Sequence, residues 1–196
     1  TNPNRLVIGW RQFYSIQSDF RQAGWAYSHD DGRHWTFPGV LQPNVFRSDP
    51  VLAADASGSF YYYSLTNSNP YTCQMFKSTD SGVSWTGPIS AYGGDKAWMT
   101  IDRTGGMGHG NIYAAWDYAG CCGNNWFTRS TNGGTVYMNP IPLPGQPYWG
   151  TTAIGPGGEL YIVGGANGSN VYRCLRSTNA QNPAVSPTFD LNVQVN

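Results

Sequence analysis

The stretch "STDSGVSW" (residues 78–85) has a close copy at 28–35, "SHDDGRHW", a substituted copy at 130–137, "STNGGTVY", and a fainter echo from Ser177, "STNAQNP". The four start 50, 52 and 47 residues apart. A repeat of this length suits one four-stranded propeller blade and is too long for most helical solenoid units. Working outward from 78–85, "FRSDPVLAAD", "GSFYYYSLTN", "YTCQMFKSTD" and "SWTGPISAY" read as four successive strands, each rich in β-branched or aromatic residues and bounded by Gly, Pro, Asn or Asp. The next unit repeats them as "KAWMTID", "GNIYAAWDY", "NWFTRSTN" and "VYMNPIPLP", and the last as "YWGTTAIGP", "GELYIVGGA", "NVYRCLRSTN" and "PTFDLNVQV".

The expected fold is therefore all-β, a propeller of four-stranded antiparallel blades over residues 1–43, 44–93, 94–144 and 145–196. Composition agrees: 25 glycines, 13 prolines and 15% aromatic residues suit short strands and tight turns. In the first unit, "NRLVIGW", "AGWAYSHD" and "HWTFPGVLQ" read as strands two, three and four, with no strand one before them. Three arrangements fit that deficit: a segment of a longer propeller, a ring completed by another copy, or a closed four-bladed ring in which "LNVQVN" supplies the missing strand.

The repeated string falls at the hairpin between strands three and four. There Asp30 or Asp80 can accept hydrogen bonds from the turn's own amides, while Gly32 or Gly82 takes a positive φ. Ser28 or Ser78 bonds within the same turn, and Trp35 or Trp85 folds back onto the blade. The third copy keeps Ser130 and Gly134 and replaces the aspartate by Asn132.

Charged residues are 11% of the chain, the net charge is zero and there are two lysines, which argues against nucleic acid or an anionic membrane as partner. No apolar run approaches the roughly 20 residues of a membrane-spanning helix, and the N-terminal residues show no signal-peptide pattern. Cys73, Cys121, Cys122 and Cys174 lack metal-ligand spacing and suit disulfides in an oxidising compartment. Cys73 and the Cys121–Cys122 loop fall near the same end of adjacent blades, so one inter-blade bridge is expected there. Asn167-Gly168-Ser169 is a glycosylation sequon.

The spelling Ser-x-Asp-x-Gly-x-x-Trp, complete at 28–35 and 78–85, resembles the Asp box of the sialidase-like, BNR-repeat β-propellers of the secreted bacterial type. "TNPNRLVIGWRQ", "SDPVLAADASG" and "GDKAWMTID" are similar to blade openings in that family. The resemblance implies a structural role for the boxes, an extracellular or cell-surface location, and a carbohydrate or extracellular protein as partner. For sialidase chemistry it further implies three arginines, an aspartate acid/base and a tyrosine assisted by a glutamate. That set is incomplete: the family's Phe/Tyr-Arg-Ile-Pro motif is absent, although "GWRQF" supplies Arg11. The only glutamate, Glu159, is expected at the box end of its blade.

Strand order places the longer loops at the end opposite the boxes, where loops on a rigid scaffold can carry function. That end gathers the cations Arg11, Arg21, Arg47 and Lys96 and the carboxylates Asp19, Asp49, Asp95 and Asp117. It also holds Tyr14, Tyr92, Trp98, Tyr118, Tyr148 and Trp149. The mixture suits a sugar, with hydrogen-bond partners for hydroxyls and rings for an apolar face. Arg11, Arg47, Asp49, Asp95, Lys96, Trp98, Tyr148 and Trp149 are the candidate ligand contacts, and Asp49, Asp95 and Tyr118 the candidate catalytic groups. Against this, Arg47, Asp49, Asp95 and Lys96 also suit inter-blade or local ion pairs, and Trp98 suits the core. His29, His34 and His109 read as turn residues. No cofactor is expected beyond a structural calcium at Asp102–Asn111. Two functions compete: a glycan-binding or glycan-hydrolysing propeller, and a non-catalytic structural or adhesive module. Convergence of Arg11, Arg47, Asp49 and Asp95 on one cavity favours the first.

Overall fold

A computed structural model describes residues 2–66, 69–166 and 170–195, so the sequon at 167–169 lies outside the described residues. Strands β1 (Leu6–Phe13), β2 (Arg21–Ser28) and β3 (Thr36–Val40) form a three-stranded antiparallel sheet. Strands β4 (Arg47–Ala54), β5 (Phe60–Thr66), β6 (Thr72–Ser78) and β7 (Thr86–Ser90) form the second sheet. The third holds β8 (Trp98–Ile101), β9 (Ile112–Ala115), β10 (Asn125–Ser130) and β11 (Ile141–Pro142). The fourth holds β12 (Pro147–Ile154), β13 (Leu160–Ala166), β14 (Tyr172–Ser177) and β15 (Leu191–Val195). Each is an antiparallel meander, and β1, β4, β8 and β12 pack beside one another in that order. This is a β-propeller-like, all-β arrangement. The idea that "LNVQVN" fills the first sheet is overturned, because β15 pairs with β14, Cys174 opposite Val193.

Period-two alternation explains the aromatic run "YYY" in β5. Tyr61 and Tyr63 enter the core shared with Ile112, Phe127 and Trp116, while Tyr62 joins Ala23, Trp25 and Phe76 in a smaller cluster. Strand β5 is thus buried on both faces and reads as a continuous aromatic run rather than an alternating one.

The repeated turns share one hydrogen-bond scheme. The Gly82 amide donates to Ser78 Oγ (2.9 Å), Ser78 Oγ donates to Asp80 Oδ1 (2.8 Å), and the same Oδ1 accepts from the Ser84 amide (2.9 Å). Ser28, Asp30, Gly32 and His34 repeat it, with the His34 ring also on Asp30 Oδ2 at 2.6 Å. Hydrogen bonds from His34 and Ser28 hold the Asp30 carboxyl well below its usual range. Asn132 substitutes without loss of geometry, since its Oδ1 accepts from Ser130 Oγ and the Val136 amide. Even the faint fourth copy complies: Asn179 Oδ1 takes Ser177 Oγ and the amide of Thr188, across a longer excursion. An amide carbonyl accepts as a carboxylate oxygen does, so the asparagine copies retain the turn.

The last three turns are also each clasped by the sheet before them. Trp25 Nε1 donates to the Gly82 carbonyl (2.9 Å), Lys77 Nζ to that of Gly133 (3.5 Å) and Arg129 Nη1 to that of Ala180 (2.5 Å). A β-carbon at Gly82 would come 2.5 Å from Val7 Cγ2, so glycine serves both the positive φ of 88° and the close approach of β1.

The two box tryptophans differ from the common role expected of them. Trp85 packs edge-on to Tyr62 within the smaller core, but Trp35 caps its own Gly32 carbonyl and stays 41% exposed. Trp85→Ala is therefore expected to cost about 3 kcal/mol of stability and Trp35→Ala about 1 kcal/mol, read from urea unfolding. Equal losses would contradict this packing difference.

Candidate functional site at the bulged strand ends

At the end opposite the turns, the first strands of the second and fourth sheets are each interrupted by an irregularity. Pairing of β4 with β5 shifts register between Ser48 and Val51, and that of β12 with β13 between Tyr148 and Thr151. The matching stretch of the third sheet is Asp95–Trp98, where β8 begins. Asp49, Lys96 and Trp149 occupy the same place in "SDPV", "DKAW" and "YWGT" and share a left-handed backbone, with φ of 45°, 50° and 51°. Bulges re-aim side chains, and such conformations in residues other than glycine cost energy and gather at functional sites. Trp149 is followed by Gly150, where a β-carbon would lie 1.8 Å from the Val163 carbonyl oxygen.

The three re-aimed side chains meet at one cavity of about 370 Å³, lined also by Arg11, Pro50, Val51, Ala97, Trp98 and Gly150. Arg11 Nη1 and Lys96 Nζ each stand 3.7 Å from a different oxygen of Asp49, and Lys96 Nζ is 3.0 Å from Asp95 Oδ1. The hydrogen bond that Lys96 donates to Asp95 is the main influence raising the Lys96 pKa. Both cations are about half exposed and loosely held, leaving donors for a ligand. Trp98 and Trp149 are 44% and 62% exposed, so Trp98 is a wall of the cavity and not a core residue.

Other candidates lie elsewhere. Arg47 is 1% exposed and bonds Gln42 and Gln74 with its guanidinium over the Phe76 ring, so its expected ligand role gives way to a buried inter-strand one. Burial lowers its pKa to about 10. Asp95 serves Lys96 and does not line the cavity. Tyr148 lines a separate depression with Tyr172 and Gly165, touching the cavity only through its ring contact with Trp149 (4.9 Å between centroids). Tyr118 is exposed and outside the cavity lining. Glu159 lies in the turn between β12 and β13, accepting from the Gly157 amide.

Asp102 is fully buried; Thr104 donates to its Oδ1, and its Oδ2 has no hydrogen-bond partner among the described residues. Among those residues no group of three or more His, Cys, Asp or Glu could hold a metal ion.

One carboxylate placed at this end by strand order, but not among the candidate ligand or catalytic residues, proves central. Asp117, 1% exposed, accepts from the Ala119 amide (2.8 Å) and from Trp149 Nε1 (2.7 Å). Burial raises its pKa, ahead of the opposing hydrogen bonds. No local motif marks it, because its partner comes from the next sheet.

The cysteine expectation is corrected. Cys121 bonds to Cys122, while Cys73 and Cys174 are free thiols. Gly93 and Gly94 contact both sides of the expected bridge: Cys73 Sγ donates to the Gly94 carbonyl and the Cys121 amide to that of Gly93. Burial pushes the Cys73 thiol up to about 12. A native, non-reducing peptide map should show the Cys121–Cys122 link, alkylation of half-buried Cys174, and alkylation of Cys73 only after denaturation. A link from Cys73 to either loop cysteine would contradict the pairing.

No protein-family model and no curated protein matches the chain. Among solved structures, a protein of unknown function from Dyadobacter fermentans aligns over 89% of this chain and 58% of its own, at 16% identity and TM-score 0.57. The intramolecular trans-sialidase from Ruminococcus gnavus aligns over 90% and 41%, at 14% identity and TM-score 0.55. An ulvan lyase of polysaccharide lyase group PL25 aligns over 86% and 49%, at 13% identity and TM-score 0.52. The likeness at these identities is one of fold, and the chain spans about half the length of the structures it resembles.

Proposed function

We propose that this chain is a carbohydrate-binding, sialidase-like propeller segment that takes glycans at the bulged strand ends and acts outside the cell. The observation that carries the reading is the convergence of Asp49, Lys96 and Trp149, from equivalent positions in three sheets, on one cavity with Arg11 and Trp98. The parts suit a sugar: apolar Pro50, Val51 and Ala97, two exposed indoles, and charged hydrogen-bonding groups that reach hydroxyls or a carboxylate. The glycan-active neighbours of the same fold support it. The proposal is one of binding; the glutamate that sialidase chemistry would use is not at this end.

A second reading, a structural or adhesive module, draws on exposed apolar side chains of the outer sheets. Leu6, Ile8 and Phe37 are exposed on the first sheet, and Tyr172, Val193 and Val195 on the last. Such surfaces suit further blades, another copy or an extracellular protein.

Isothermal titration against lactose, 3′-sialyllactose and a glucuronate-terminated disaccharide separates the two. Binding of at least one probe is expected, weakened about tenfold or more by Arg11→Ala or Trp98→Ala, a loss of ~1.4 kcal/mol. Lys77→Ala at the opposite end should leave it unchanged. Absence of binding to all three, or indifference to both cavity variants, would overturn the glycan reading.

A further inference from the structure

Eight tryptophans compete for hydrogen-bond partners in this chain, and the outcome is uneven. The indole nitrogens of Trp85 and Trp116 are buried and have no partner among the described residues. Trp149, 62% exposed and free to bond water, instead receives a buried carboxylate, Asp117. Burying a carboxylate is costly, and one bond to a mostly exposed ring returns little stability. The neighbouring geometry is also committed to that ring. Trp149 sits in a left-handed conformation, Gly150 admits the adjacent strand, and Tyr148 meets the indole edge-on at 75°. Asp117 is itself fixed from both sides: its Oδ1 accepts the Ala119 amide, its own amide donates to the Asp95 carbonyl, and the Asp95 amide donates to Ala119. An exposed ring held this firmly is preorganised for something that stacks on it.

We infer that Asp117 is a positioning residue: through its bond to the Trp149 indole it holds that ring as the stacking platform for a sugar's apolar face in the cavity. The inference rests on the glycan reading above. Asp117 does not line the cavity, so its effect on binding passes through Trp149. The ligand class is a pyranoside with one C–H-rich face against the indole and polar groups turned to Arg11 and Lys96. The second depression beside Trp149, with Tyr148 and Tyr172, does not enter this argument.

The test is a double-mutant cycle on whichever of the three probes the wild-type chain binds most tightly, with Trp149→Phe and Asp117→Ala as the single changes. Trp149→Phe keeps an aromatic ring but removes the N–H donor. Each single variant is expected to lose about tenfold in affinity, and the pair no more than either alone. Asp117→Asn keeps one accepting oxygen where the Ala119 amide and the indole use two, so it too should lose affinity, and it carries the test if Asp117→Ala does not fold. The Trp149 indole proton, followed by NMR, should exchange slowly in the wild type and faster in the Asp117 variants. Unchanged affinity in the aspartate variants with a fast-exchanging indole, or fully additive losses, would overturn the positioning role while leaving the glycan reading intact. Failure of the wild type to bind any probe would remove the glycan reading and this inference with it.

Discussion

One serine hydroxyl per sheet organises the molecule. In each strand-three to strand-four turn it accepts a backbone amide and donates to an aspartate or asparagine oxygen that accepts a second amide farther along. That arrangement satisfies backbone donors that a tight turn would otherwise leave to water, and fixes where the fourth strand begins. Because a carbonyl of the turn then faces the preceding sheet, Trp25, Lys77 and Arg129 can each hold the next sheet in place. Sheet-to-sheet stacking is thus built from local turns, and the large core around Tyr61, Tyr63, Ile112 and Phe127 fills the space they define.

Concentrating structural hydrogen bonds at one end leaves the other free to vary. There one left-handed position at the start of each of the last three sheets, in a bulge of β4 and of β12 and in the turn before β8, delivers a carboxylate, an ammonium and an indole to a common space. The same backbone device thus supplies three chemistries, with the identity of the residue as the variable. Asp117 adds rigidity to the weakest member of that set, an indole otherwise surrounded mainly by solvent. Division of labour between two ends of a scaffold lets the site diverge without disturbing the turns that stack the sheets.

Much of this was written locally enough to be read from the chain. The turns follow from Ser-x-Asp/Asn spacing, and the strands from alternating β-branched and aromatic residues. Arg11, Asp49, Lys96, Trp98 and Trp149 could be assigned to one end because strand order dictates it. What escaped the reading depends on contacts between sheets. Arg47 and Lys96 look alike as cations, yet one is swallowed between strands by two glutamines and a phenylalanine while the other sits at a left-handed turn position before β8. Asp117 resembles any loop aspartate until Trp149, 32 residues later, is brought onto it. The cysteines show the same limit, since Cys73 reaches the neighbourhood of the Cys121–Cys122 loop but finds a glycine backbone in between.

The central claim is that the turns build the scaffold and the bulged end binds. Indole N–H spectroscopy of the uniformly nitrogen-labelled chain, titrated with glycan, reads both ends at once. The account predicts that the Trp98 and Trp149 signals shift with increasing glycan while those of Trp35 and Trp85, at the turn end, stay fixed. Shifts confined to Trp35 or Trp85 would place the binding surface on the turns and contradict it.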